Sequence, residues 1–122
     1  MNYATLPEGA DNQIVRKYLI AFLEEKERIA TEHSLVYALE QLSIIAEQYA
    51  YYHLDESLEK QLTEYLINVL DLDNCEIMDV VLFIVVNMSL NDVMKYLLDN
   101  KNGCTNAIIE MITESAEEMS IT

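Results

Sequence analysis

The chain has 122 residues, 52% of them apolar, with 22 acidic residues against 7 basic ones and a net charge of -15. That length suits one domain burying about two thirds of its unfolded surface, and the apolar share excludes a disordered acidic chain. With only 2 Gly and 1 Pro, too few for the turns of an all-β domain, the composition points to an all-helical fold.

Residues 1–10, which hold Pro7 and Gly9, read as an irregular arm. A first helix is predicted over 11–29, where Ile14, Tyr18, Phe22 and Ile29 recur at helical spacing with Val15 and Leu19 alongside. Asp11 or Asn12 suits its start, Lys26 and Arg28 suit its negative end, and Glu24 and Arg28 stand in the favourable four-residue orientation. A second helix follows over 31–53, its stripe being Leu35, Leu39, Leu42, Ala46 and Tyr49, widened by Ala38, Ile45 and Tyr52. Asp55 then caps a third helix over 56–70, with Leu58, Leu62, Leu66 and Val69 inward and Glu56, Lys60, Glu64 and Asn68 in solvent.

The stretch DVVLFIVVNMSL at 79–90 is the least ordinary part of the chain. Its Val80, Val81, Ile84, Val85 and Val86 are β-branched and favour a strand. A strand apolar on both faces needs partners of the same kind, and no second such run exists. With Ile77, Met78 and Met88 included, the run reads as a central helix over 75–88, capped by Asn74 and buried on most of its circumference. Its expected role is to hold the scaffold together rather than to meet a partner. Ser89-Leu90-Asn91-Asp92 resembles a capping box opening a fifth helix over 90–100. Asn102-Gly103 should stop it, with Gly103 as left-handed cap. A last helix from Thr105 or Asn106 carries Ile108, Met111, Ile112 and Met119, and residues 119–122 form a loose tail. The expected whole is a single all-α domain: about six antiparallel helices in an irregular HEAT- or armadillo-like hairpin stack or bundle.

Charge is unevenly spread. Residues 1–28 sum to about -1, while residues 29–122 hold only Lys60, Lys95 and Lys101 against seventeen acids, about -14. Such a field repels nucleic acid and anionic lipid and attracts basic surfaces, although a plainly soluble acidic protein is the simpler reading. No apolar run nears the roughly 18 residues of a membrane span. The N-terminus lacks a basic region followed by an apolar core, so no secretory signal is expected. Cys75 and Cys104 have no metal or redox spacing and read as half-buried reduced thiols of a cytoplasmic protein.

The chemistry-bearing residues form no catalytic pattern. His33 and His53 lack triad or metal partners, and Asp71–Glu76 fails as a calcium loop because Glu76 stands where Gly is required. No phosphate loop exists, and no cofactor or metal is expected. EQYAYYHLDE at 47–56 places Tyr51 beside acids if Tyr49 and Tyr52 point inward. It reads either as rings covering a helix end or as an anchor for a basic protein. The candidate partner-binding residues are Tyr51, Asp55, Glu56 and Glu59, then Asp71, Asp73 and Glu76 at the next turn.

The segment NCEIMDVVLFIVVNMSLNDVMKYLLDN at 74–100, a buried helix ending Asn-Met-Ser-Leu before a short helix, resembles small bacterial immunity proteins with HEAT-like folds. These belong to polymorphic-toxin and contact-dependent growth inhibition systems. The resemblance covers about a quarter of the chain closely, and the rest in size, helicity and acidity. It implies a non-enzymatic protein that binds a cognate toxin domain, often a basic nuclease, and occludes its active site. No residue role is carried over from it, because such interfaces vary between pairs. Two other readings stand beside it: a nucleic-acid mimic that inhibits a DNA- or RNA-binding enzyme, and a helical adaptor or assembly subunit.

Overall fold

The computed structural model describes residues 1–120, the side chain of Tyr51 excepted. Among these, six helices run as α1 (Asn12–Glu32), α2 (Leu35–Gln48), α3 (Glu56–Val69), α4 (Cys75–Met88), α5 (Asn91–Asn100) and α6 (Asn106–Glu118). Five of them begin at a short polar side chain that accepts an otherwise free backbone N–H. Asp11 takes Gln13 N at 2.8 Å, Ser34 takes Tyr37 N at 3.0 Å and Asp55 takes Leu58 N at 3.0 Å. Asn74 takes Ile77 N at 3.1 Å, and Thr105 takes Ile108 N at 3.4 Å.

Helix ends account for most differences from expectation. The single helix expected over 31–53 is divided. α1 continues through Glu32, Ser34 turns extended to cap α2, and the chain beyond Gln48 tightens into a 3-10 turn at Tyr49–Tyr51. Ser89 is not the cap of α5. It adopts a left-handed conformation (φ 55°) that closes α4, with Ser89 N–H on Val86 O at 3.3 Å and Leu90 N–H on Val85 O at 3.0 Å. This is a Schellman closure, and the fully buried Leu90 supplies its apolar contact. α5 therefore has Leu90 at its N-cap and no side-chain cap. Gly103 ends a 3-10 turn, Lys101–Gly103, and its φ is not positive; the left-handed glycine is Gly9, at φ 73°.

In α1 the buried stripe is Val15, Leu19, Phe22 and Ile29, whereas Ile14 is 43% exposed. Arg28 pairs with Glu25 at 2.6 Å and Glu32 at 3.0 Å rather than with Glu24. The N-terminal arm is more ordered than its composition suggests. It holds a 3-10 turn at Tyr3–Thr5 and buries Tyr3, Leu6 and Ala10. Tyr3 stands edge-on to Phe22, with ring centres 5.9 Å apart. Gly9 N–H donates to the buried Gln48 Oε1 at 3.1 Å, and Tyr52 Oη–H donates to Ala10 O at 2.7 Å. Of the expected tail at 119–122, Met119 is half-buried and the last two residues lie outside the described ones.

The helices pack in two rows. α2 lies against α1 and α4, and α4 also lies against α6. α3 lies against α5, which touches α6 and α4. Between α1 and α3, Arg16 meets Asp55 at 2.9 Å, Phe22 meets Tyr65 at 5.9 Å, and Lys26 Nζ stands 5.7 Å from the Tyr65 ring centre. Partners rise together along both sequences, so α1 and α3 run parallel. The even helices α2, α4 and α6 thus form one row and the odd helices the other, in a short irregular stack of helical hairpins. Met78, Val81, Ile84 and Val85 of α4 are fully buried at the middle of the even row, as the apolar run predicts.

The strain at Ser89 yields a stability test. A left-handed non-glycine residue costs roughly 1–2 kcal/mol, partly offset in a glycine variant by the freer unfolded chain. Ser89→Gly is expected to stabilise the fold by about 0.5–1 kcal/mol, read as a higher urea midpoint at unchanged slope.

Candidate functional site: an acidic row with a groove of mixed lining

α4 is covered by α2 and α6 along its flanks, which leaves one stripe open. Residues three and four apart share a helix face, and Glu76, Asp79, Val80, Phe83 and Asn87 occupy that stripe. Phe83 is 43% exposed, with Val80, Val86 and Asn87 half-buried. Beside it α6 presents Met111, Glu114, Ser115 and Glu118, and together with Asp79, Leu82, Phe83, Val86 and Asn87 these line a surface groove of about 340 Å³. Asn87 Nδ2 donates to Phe83 O at 2.9 Å, which holds the amide against its own helix. A residue of the apolar run therefore faces outward on the part of the circumference that the expected burial left open. The reason is geometric: a helix between two neighbours in a row keeps one face free.

Charge follows the same division. The even row carries Glu40 and Glu47 on α2, Glu76 and Asp79 on α4, and Glu110, Glu114, Glu117 and Glu118 on α6, without one Lys or Arg. All eight residues are exposed. The odd row holds Arg16, Lys17, Lys26, Arg28, Lys60 and Lys95. Among the described residues, the four ion pairs are Met1 with Glu25, Arg16 with Asp55, and Arg28 with Glu25 and Glu32. None involves an even-row acid. The row is a surface of unanswered negative charge that holds a groove lined by both apolar and acidic side chains.

The acids singled out from the sequence fall into two groups at opposite ends of α3, about 20 Å apart by helical rise. Asp55 caps α3 and binds Arg16. The Leu58 N–H bond first, and Arg16 second, hold its carboxyl below the usual carboxylate range. Glu56 is exposed and Glu59 half-buried in the first turn of α3. At the far end Asp71 Oδ1 accepts from Asp73 N at 3.0 Å, and both acids are exposed. Glu76 lies in the first turn of α4 and shares the stripe of Asp79 and Phe83. The side chain of Tyr51 lies outside the described residues.

Asp79, Phe83, Met111, Glu114 and Glu118 were not singled out from the sequence, yet a signal was present. Glu76, Asp79 and Asn87 are the polar residues of α4, they share one stripe, and Phe83 sits midway between the latter two. His33 is exposed with its ring centre 4.2 Å from that of Tyr37, and His53 is exposed in the turn before α3. Cys104 is half-buried as expected, but Cys75, first residue of α4, is exposed. Among the described residues no three of His, Cys, Asp or Glu gather to hold a metal ion, and no helix is long and apolar enough to cross a membrane. No family model, curated protein or solved structure matches the chain, so the reading of this surface rests on its own chemistry.

Adjacent α4 positions should respond to truncation by different amounts. Ile84→Ala should cost about 3 kcal/mol by opening a cavity, while Phe83→Ala on the open face should cost about 1 kcal/mol or less, both read by urea unfolding. Asp55 has its own pH signature. A carboxyl whose folded value is depressed contributes stability above its unfolded value, near 3.8, and loses it as pH falls through the folded value. Asp55→Ala should therefore lower stability by about 1 kcal/mol at neutral pH, and the gap to wild type should narrow in acid below that value.

Proposed function

We propose that the chain is a non-enzymatic immunity-type protein of the bacterial cytoplasm that binds and neutralises a cognate basic toxin domain, such as a nuclease. The observation that carries this reading is the segregation of charge: an even row of eight exposed carboxylates without a cation. Such a surface speeds encounter with a basic partner and discriminates among partners more than it adds raw affinity. Side-chain caps on five of the six helices, with an arm bonded across Gln48 and Tyr52, supply a scaffold that needs little ordering on binding. The sequence-derived contacts Tyr51, Asp55, Glu56, Glu59, Asp71, Asp73 and Glu76 belong to this proposal. Asp55 enters it weakened, since Arg16 already answers its charge.

A nucleic-acid mimic is the nearest rival, and the groove favours immunity over it. Mimicry of a phosphate backbone calls for spaced charge and no exposed phenylalanine, whereas the exposed Phe83 shares a groove with Asp79 and Glu114. Co-purification from the source cell should return one basic protein that stays bound at moderate ionic strength. Its association rate should fall about tenfold or more between low and high salt, with dissociation nearly unchanged, as read by stopped-flow or surface binding kinetics. Equal capture of many basic proteins, all released by salt, would move the assignment to mimicry. Retention of no basic protein would sink the proposal.

A further inference from the structure

We infer that the α4–α6 groove is the specificity site of this interface: it seats one large apolar side chain of the partner, flanked by Lys or Arg residues that reach Asp79, Glu114 and Glu118. This rests on the proposed binding of a basic protein and adds where, and by which pattern, that protein is read. Its apolar lining is Leu82, Phe83, Val86 and Met111, which includes an aromatic ring and a flexible thioether that adapts to an incoming apolar group. Asp79, Glu114 and Glu118 are exposed on its rim, with no cation within 4.0 Å among the described residues. Asn87 and Ser115 add hydrogen-bonding groups.

Charge decides the occupant. A second copy would bring another -15 to this surface, and nucleic acid or an anionic membrane would be repelled more strongly still. A purely apolar segment would leave three carboxylates partly desolvated without partners, which is costly. A basic segment with an apolar anchor satisfies both parts of the groove. Other grooves lie against α1, where Arg16, Lys26 and Arg28 already answer nearby acids or aromatic faces. Exposed ion pairs contribute little by themselves, so the anchor in the groove carries affinity while the rim sets orientation and encounter rate.

The test uses the full chain and two amidated helical peptides of identical composition. In one, Phe and Leu form a stripe flanked by Arg and Lys; in the other the same residues are scattered around the helix. The patterned peptide is expected to bind at least tenfold tighter by calorimetry and to shift the amide resonances of Phe83, Val86, Asn87, Met111 and Ser115. Phe83→Ala, and separately the surface pair Glu114→Lys/Glu118→Lys, should each weaken it at least tenfold, while Glu24→Lys/Glu27→Lys on the exposed face of α1 should change it less than threefold. Thermal unfolding of each variant confirms that it is folded, and the charge-reversal pair serves if Phe83→Ala is not. Equal binding of the two peptides, or no binding of either, overturns the groove assignment. Shifts confined to the start of α3 overturn it too, but leave the basic-partner reading standing. That reading fails separately, when co-purification yields no basic protein. Self-association abolished by Phe83→Asp would assign the groove to a second copy and also overturn the inference.

Discussion

Burial of α4 between α2 and α6 is the constraint from which the rest of the architecture follows. Met78, Val81, Ile84 and Val85 are removed from water completely, and Ile77, Leu82 and Met88 almost so. Burying a side chain of this size stabilises a fold by about 1.5–3 kcal/mol, so no other helix contributes as much per residue. A helix this apolar must be flanked on both sides. The chain meets that need with even helices as flanks and odd helices as the second layer. The left-handed Ser89 is part of the same solution, because it ends α4 while turning Leu90 into the core.

The same packing leaves α4 a single open stripe, and that stripe sits in a row bearing no positive charge. On α6, Glu110, Glu114 and Glu118 stand at successive four-residue intervals, an arrangement that destabilises a helix by about 0.2–0.5 kcal/mol per like-charged pair. Among the described residues no cation pairs with these three carboxylates. The cations are spent on the odd row, where Arg16 ties α1 to α3 and Lys26 covers the Tyr65 ring. Stability is thus conceded on the one face that also carries an exposed phenylalanine.

Two buried tyrosines and a half-buried one tie the arm and the outer layer to this core. Tyr3, Tyr49 and Tyr65 are pushed up to about 12, in each case chiefly by burial. Their phenols lie where α1 meets the arm, where α2 ends and where α3 meets α1. The arm therefore acts as a strap across the open side of α1 and α2. Rigidity built this way is what lets a small surface present a fixed pattern of charge and shape.

Local chemistry made much of this legible. Asp11, Asp55, Asn74 and Thr105 cap the helices they were expected to cap, and α4 spans the residues its apolar run predicts, because capping and helical periodicity depend on neighbours a few residues away. Ser34 escaped notice because a helical pattern runs through it, and Ser89 was misread because its role depends on Leu90 finding the core. Ile14 lies beside the buried stripe of α1 yet faces out, since α2 and α3 cover a narrower arc than its apolar pattern suggests. The candidate site divides in the same way. The acidity was evident in the sequence, but its segregation into one row, and the exposure of Phe83 within a run that reads as buried, were decided only when the helices stacked. Sequence alone determined which segments are helical and that the surface is acidic. Tertiary packing decided which face of each helix stays open, because burial depends on neighbours distant in the chain.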